Sequence, residues 1–162
     1  MSEVESDWFA VIDTAQDPGL HSLVMRARGK VCLFSGNVPP VLAAASPWLV
    51  RLRPGEPLLE TWKAEGRGRN WGIMCRSPAN LEQMRRHFRK FLQAMLPDGT
   101  VALFRFYDPR VFNTYIRACT PDERRPWFDQ LSLFAVEGVR PDILHNYTLR
   151  GDRLYDADTP VH

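Results

Sequence analysis

The sequence predicts a single-domain α/β fold with a mixed, largely parallel sheet of about five to seven strands flanked by helices. Apolar, strand-like runs alternate with helix-like segments along most of the chain, and strands joined through helices usually run parallel. The 162 residues are enough for one hydrophobic core and few for two. We expect residues 1–138 to form the domain and residues 139–162 to add a C-terminal strand and a polar tail. The chain after Gly151 is expected to be weakly ordered.

Strands are expected where short apolar and β-branched runs lie between turn signals. The run TVALFRFY has the strongest strand signal in the chain. The predicted strands cover residues 8–13, 31–34, 47–52, 71–75, 100–107, 132–138 and 143–150.

Helices are expected where apolar residues recur at a spacing of three, four and seven. The longest is predicted to run from Ser77 to about Leu96, because six apolar residues within it follow this spacing. Other helices are predicted at residues 17–28, 57–66 and 108–118, with a short helix or turn at residues 39–45 and a capping box at residues 120–123. Four short oxygen-bearing residues stand directly before a proline and are expected to cap helices, namely Asp17, Ser77, Asp108 and Thr120.

Composition excludes several classes of protein. The 21 basic and 19 acidic residues nearly balance, which argues against nucleic acid as the main partner. No run of 18 apolar residues predicts a membrane span, and the first dozen residues carry acids where a signal peptide needs basic residues. We therefore expect a cytoplasmic protein without a membrane partner. The three cysteines form no ligand pattern and are expected to be reduced thiols.

The sequence has neither a phosphate-binding glycine loop nor a GxSxG or HExxH motif. One polar cluster is expected where strands end, at Asp13, Asp17, Arg105, Asp108 and Arg110. If the strands that carry these residues were parallel neighbours, Asp13 could meet Arg105 or Arg110. Since Arg105 alternates with apolar residues, we expect it to be half-buried and paired. The cluster is interpreted as structural; the alternative is a hydrolase acting on a phosphate ester through this cluster and His87. No cofactor or metal is expected.

Two surface features are candidates for binding. The predicted helix carries Arg85, Arg86, Arg89 and Lys90, which form either a solvated face or a docking site for an acidic partner. Nucleic-acid binding through these residues is a weaker alternative. Trp127, beside two arginines and a proline, is expected at the rim of an interface, and Arg110 is a further candidate. If residues 143–149 formed an edge strand, they would allow strand addition by a partner.

Four segments, WFAVIDTAQDP, SPWLVRL, NWGIMCRSP and LEQMRRHFRKFLQAMLPDGTVALFRFYDPRVF, occur in this order between about residues 9 and 128. Together they resemble the DUF4123 family, a domain of unknown function found in adaptor chaperones of the bacterial type VI secretion system. The resemblance implies a cytoplasmic, non-enzymatic adaptor. Such an adaptor binds a toxic effector and helps to load it onto the VgrG spike.

The family's motif residues fall mostly on predicted turns, caps and core positions. We interpret Asp13, Asp17, Trp71, Arg105, Asp108 and Pro109 as structural members of this set. Its remaining members are Trp48, Gly72, Arg86, Phe91, Pro97, Asp98, Gly99, Phe104, Phe106 and Arg110. The resemblance does not imply which of them touch the effector.

Overall fold

The computed structural model describes residues 5–34, 45–140 and 142–160. Its strands are β1 (Asp7–Asp13), β2 (Lys30–Cys32), β3 (Pro47–Leu52), β4 (Gly72–Ser77), β5 (Gln93–Met95), β6 (Val101–Leu103), β7 (Leu133–Glu137), β8 (Ile143–Arg150) and β9 (Arg153–Pro160). Its helices are α1 (Leu20–Met25), α2 (Pro57–Glu65), α3 (Leu81–Arg89), α4 (Pro109–Ala118) and α5 (Pro121–Arg124), followed by a 3-10 turn (Arg125–Phe128). The predicted helix or turn at residues 39–45 lies, except for its last residue, outside the described ranges.

Seven of the described strands form one sheet in the order β2-β3-β1-β4-β7-β8-β9, and every neighbouring pair is antiparallel. The prediction of a largely parallel sheet is therefore wrong. Strands β1 and β2, which α1 connects, do run parallel, since both are antiparallel to β3. Strands β3 and β4, which α2 connects, run parallel for the same reason across β1. In both cases a third strand lies between the two strands that the helix connects. The alternation of strands and helices along the sequence does not indicate that another strand will be inserted there.

Both faces of the sheet centre are buried, which explains the unbroken apolar run of β1. Phe9 and Val11 pack in a core with α3, α4 and the 3-10 turn, whereas Ala10 and Ile12 pack in a second core with α1 and α2. Side chains alternate between the faces of a strand, so helices on both sides require apolar residues at every position.

The long helix predicted for residues 77–96 is wrong in its bounds. Helix α3 starts after Asn80, whose Oδ1 accepts a hydrogen bond from the Gln83 amide at 2.8 Å, and it ends at Arg89. The chain then forms β5, turns and returns as β6, and these two strands make a separate two-stranded sheet. Gly99 permits the turn because its φ is +86°. The strong strand predicted at residues 100–107 is thus only the three-residue β6.

Two of the four predicted caps are confirmed. Asp108 accepts from the Arg110 amide at the start of α4, and Thr120 forms a capping box with Glu123 at the start of α5. Asp17 does not cap α1, and Ser77 ends β4, where its hydroxyl donates to the Gln130 carbonyl.

The polar C-terminal segment is a regular strand. Strands β8 and β9 pair over eight residues each, through a turn in which Gly151 has a φ of +60°. A glycine of positive φ at the first position of a two-residue loop is typical of tight hairpins. The expected weakly ordered tail after Gly151 is therefore wrong. The condition for strand addition at residues 143–149, an edge strand, is not met, because β9 covers β8.

Candidate protein-binding surface

The carboxylate of Asp108 is engaged within its own helix start. Its Oδ1 accepts from the backbone amide of Arg110 at 2.9 Å and from the Nε of that arginine at 3.0 Å, and its Oδ2 accepts from Nη2 at 2.7 Å. A two-point ion pair of this kind holds both side chains in one geometry. The hydrogen bonds from Arg110 to Asp108 raise the pKa of the Arg110 guanidinium above its usual value. Asp108 therefore acts as a cap and an anchor for Arg110.

The other two predicted carboxylates also have hydrogen-bond partners within the protein. Asp13 is buried and accepts from the amide of Ala15 and from the Gln16 side chain, both at 3.0 Å. Asp17 accepts from the indole Nε1 of Trp71 at 2.8 Å and from an Arg69 guanidinium at 3.1 Å. The first of these hydrogen bonds is the larger cause of the lowered pKa of the Asp17 carboxyl. The parallel neighbours required for a pair between Asp13 and an arginine do not exist, because β1 and β6 belong to different sheets.

Arg105 is exposed, so the expectation that it is half-buried is wrong. Among the described residues it has no carboxylate within ion-pair distance. The nearby phenol of Tyr107 is buried, and burial together with the charge of Asp13 raises its pKa to about 12. Asp13, Arg105 and Asp108 all lie close enough to this phenol to affect its pKa. The two carboxylates, however, already have hydrogen-bond partners within the protein.

Trp127 lies in the core and not at a rim, which corrects the prediction. Its side chain is 1% exposed and stacks on Phe91 with 3.9 Å between ring centroids. The carbonyl of Trp127 lies 3.0 Å from Nε2 of the buried His87. Burial lowers the pKa of His87 to about 4, so the imidazole is neutral at pH 7 and donates this hydrogen bond. His87 contacts core rings and a backbone carbonyl, a structural position.

The basic residues of α3 divide into two groups. Arg85 and Arg86 both pair with Glu82, at 3.1 and 3.4 Å. Arg89 and Lys90 have no carboxylate partner in the described part of the chain, and Lys90 is exposed. The unpaired positive charge therefore lies at the end of α3, directly before β5.

The strongest surface feature is one that sequence reasoning missed. Met95, Val101 and Leu103 are 78%, 58% and 43% exposed, and register places them on one face of the β5–β6 hairpin. We call these three side chains the hairpin face. The opposite face carries Ala94 and Ala102, which pair with each other.

The inner side of the hairpin covers an aromatic cleft of about 280 Å³. Ala94 lines this cleft together with Phe91, Phe104, Tyr115 and Trp127. The sequence does contain a usable signal for this face, namely the alternation of side-chain size in β6, where large residues at 101 and 103 flank a small one at 102. The sequence predicted a strand at residues 100–107 but not which of its faces is exposed, because period-two patterns do not say which face meets the core.

One cluster has the composition of a metal site. His145, Asp156 and Asp158 bring one ligand atom each within 4.8 Å of one another. The guanidinium of Arg117 lies 3.2 Å from Asp156 and 3.3 Å from the His145 ring, so this arginine already pairs with one of the two carboxylates. The cluster therefore attaches α4 to the β8–β9 hairpin.

No described helix is both long and apolar enough to cross a membrane. Comparison with curated proteins and with solved structures gave no match. The sequence profile of one family, described as a domain of unknown function (DUF4123), matches residues 8–126. This range includes the capped start of α4, the Asp17–Trp71 hydrogen bond and the hairpin face. Because the match covers most of the chain, this protein belongs to the DUF4123 family.

Proposed function

We propose that this protein is a non-enzymatic adaptor chaperone of a bacterial type VI secretion system. It binds a toxic effector in the cytoplasm and helps to load it onto the VgrG spike. Membership of the DUF4123 family supports this role through the resemblance to adaptor chaperones. The role requires surfaces that bind other proteins, and it requires no reacting groups.

The hairpin face is the observation that carries the proposal. Soluble proteins rarely display several large apolar side chains together without a partner for them. Burying one such side chain fully is worth roughly 1.5–3 kcal/mol. Met95, Val101 and Leu103 are between 43% and 78% exposed, so each has area left to bury. An interface centred on them therefore has enough hydrophobic area to hold a protein partner.

Charge beside the hairpin face favours an acidic partner surface. Arg89 and Lys90 precede β5, and Arg105 follows Leu103 by two residues. In the described part of the chain none of these cations has a carboxylate partner. Complementary charges around an apolar centre steer association and set its orientation.

The hairpin lies inside residues 8–126, the part that the family profile covers. VgrG is the partner that the resemblance assigns to the whole family, whereas each adaptor carries its own effector. We therefore assign the hairpin face to VgrG.

The alternative of a phosphate-ester hydrolase has less support. Asp108 is held by Arg110 and by the helix start, and His87 points into the aromatic core. A general base must reach the proton that it removes, and neither residue shows such a position.

Binding to the VgrG and the effector encoded beside this chain tests the proposal. We expect the wild-type protein to bind both in isothermal titration calorimetry. The variant Met95→Ser/Val101→Thr/Leu103→Ser should bind VgrG at least about tenfold more weakly, which is about 1.4 kcal/mol, while its melting temperature is unchanged.

Val139→Ser is the matched control, because Val139 is fully exposed and lies outside the hairpin. It should bind like wild type. An unchanged affinity of the triple variant would contradict the assigned surface. Failure of the wild-type protein to bind either partner, with normal effector export in a deletion strain, would refute the adaptor role itself.

A further inference from the structure

On one half of a sheet face, the described helices reach only one end. On the side of Ala10 and Ile12, α1 and α2 cover β1, β3 and part of β4, and this core includes no residue of β7, β8 or β9. On the same side of β7–β9, register aligns Ala135, Asn146 and Ala157. We call this side of β7, β8 and β9 the open face.

The side chains that register aligns across the middle of the open face are small. Asn146 donates hydrogen bonds to the Ala157 carbonyl and to the Thr159 hydroxyl, at 2.9 and 2.8 Å. Strand β8 has eight residues, or about 26 Å of extended chain, which matches a helix of roughly 17 residues. Because α1 and α2 already form a helical layer on this side, one more helix would continue that layer.

An apolar cleft of about 180 Å³ lies at one end of the open face, between α2 and the strands. Leu59 and Trp62 of α2 form one wall, and Met74 and Leu144 form the other. The buried Glu137 also lines this cleft, and its carboxylate accepts from the Gly68 amide at 3.0 Å. The cleft therefore has an apolar opening for a partner side chain.

Positive charge dominates the other end. Arg150 and Arg153 are opposite each other beside the hairpin turn, and the Arg150 guanidinium lies 4.8 Å from the centroid of the Tyr155 ring. Neither arginine has a carboxylate partner among the described residues. The acids of β9, Asp156 and Asp158, bind His145 on the opposite side of the sheet.

The positions of the cleft and of the arginines indicate which kind of partner the open face binds. Lys63 and Arg67 also line the cleft, so both ends of the open face carry positive charge. A second copy meeting the first through the same surface would therefore place like charges against each other in either orientation, which is unfavourable. An amphipathic helix with an apolar residue at one end and carboxylates at the other complements both the cleft and the arginines. The open face consists mainly of residues 133–160, outside the range that the family profile matches, as expected of a surface for a partner specific to this adaptor.

We infer that the open face binds an acidic amphipathic helix of the effector, aligned along β8. A large apolar side chain of that helix enters the cleft beside Trp62, and its carboxylates bind Arg150 and Arg153. This inference rests on the proposed function, and it gives the adaptor separate surfaces for its cargo and for the spike.

Charge reversal tests this assignment. Titration of the effector encoded beside this chain should show at least about tenfold weaker binding to Arg150→Glu/Arg153→Glu than to wild type. VgrG binding and the melting temperature of this variant should be unchanged. The control Arg26→Glu/Arg53→Glu reverses two exposed arginines outside the open face and should bind the effector normally. Equal effector affinity of the wild-type and Arg150→Glu/Arg153→Glu proteins would overturn the inference and leave the adaptor role standing.

A photo-crosslinker identifies the occupant. Benzoylphenylalanine in place of the exposed Ala157 should crosslink to the effector within an acidic, amphipathic segment, whereas the same group in place of Glu60 should not. A crosslink to a second copy, to a basic or extended effector segment, or to VgrG would overturn the inference. So would the absence of any crosslink in a complex that forms. A wild-type protein that binds neither partner would refute both the adaptor role and this inference.

Discussion

Two hairpins of the described chain, β5–β6 and β8–β9, differ in what surrounds them. Each turns through a glycine of positive φ, Gly99 in β5–β6 and Gly151 in β8–β9. The β8–β9 hairpin extends the main sheet and buries Tyr147 completely, while among the described strands β5 and β6 pair only with each other. The outer apolar side chains of β5–β6 consequently remain in solvent. An apolar strand residue thus belongs to the core or to a binding surface according to where its hairpin docks, and four substitutions or conditions test this contrast.

The largest effect is expected where the β5–β6 hairpin rests on the core. Trp127→Ala removes a ring that is 1% exposed and packs against Phe91, Phe104 and Phe112, so it should cost about 3–5 kcal/mol in unfolding free energy. Urea unfolding measures this loss. Amide exchange should also accelerate more in residues 93–103 than in β8. A loss below about 1 kcal/mol would mean that Trp127 does not support the hairpin.

The next effect is a pH dependence from His87, which lies against Phe91 beneath the same hairpin. Burial lowers the pKa of His87 from 6.5 to about 4, with Lys90 adding to the shift and Asp129 opposing it. Below pH 6.5 the unfolded chain binds a proton that the folded chain does not, so stability falls as the pH falls towards 4. Between pH 7 and pH 5 the loss should be about 2 kcal/mol.

His87→Gln provides the control for this titration, because an amide can still donate to the Trp127 carbonyl and has no charge to gain. Between pH 7 and pH 5, the unfolding free energy of the His87→Gln protein should fall by about 2 kcal/mol less than that of the wild-type protein. Parallel pH profiles of the two proteins would show that His87 is not buried in its neutral form.

A smaller effect is expected in the β8–β9 hairpin. The Tyr147 hydroxyl donates to Asn113 Oδ1 at 2.6 Å, and the Asn113 amide donates to the Glu137 carbonyl at 2.8 Å. Tyr147→Phe should cost about 1.5 kcal/mol, because a buried acceptor loses its donor. Urea unfolding measures the cost, and β9 should exchange faster while residues 93–103 do not change. A Tyr147→Phe protein as stable as wild type would show that this hydrogen bond does not attach the hairpin to α4.

The smallest effect is expected at Arg105. Its side chain is exposed beyond the end of β6, so Arg105→Ala should change the unfolding free energy by less than about 0.5 kcal/mol. The same substitution should weaken VgrG binding slightly, through the lost charge beside the hairpin face. A destabilisation near 2 kcal/mol would instead support the expectation from the sequence that Arg105 is half-buried and paired.

Much of the local structure was predictable because it depends on neighbouring residues. Asp108 and Thr120 cap the helices that follow them, since a short oxygen-bearing side chain reaches the amides two or three residues on. The bounds of β3 and of α4 also agree closely with the prediction. The family resemblance was visible for a related reason, because its motifs are runs of consecutive residues.

The candidate site was only partly predictable. The cations at the end of α3 were identified from sequence, and Lys90 is exposed as a docking residue must be. The hairpin face was missed, because Met95 continues the apolar spacing of α3 and was assigned to that helix. Breaking the helix after Arg89 lets Phe91 stack on Trp127 and lets Phe104 donate its amide to the Leu92 carbonyl at 2.7 Å. These partners lie 12 to 36 positions away in the chain, beyond the reach of a local pattern.

By itself, the sequence determined which segments are strands and helices over much of the chain, how α4 and α5 begin, and the family to which the chain belongs. Only the tertiary structure decided that β1 separates β3 from β4, that Trp127 lies in the core, and that Met95, Val101 and Leu103 face solvent. The physical reason is that propensity and capping act within a few residues. Strand order and burial instead depend on which distant surfaces meet, and one apolar pattern is compatible with several such arrangements.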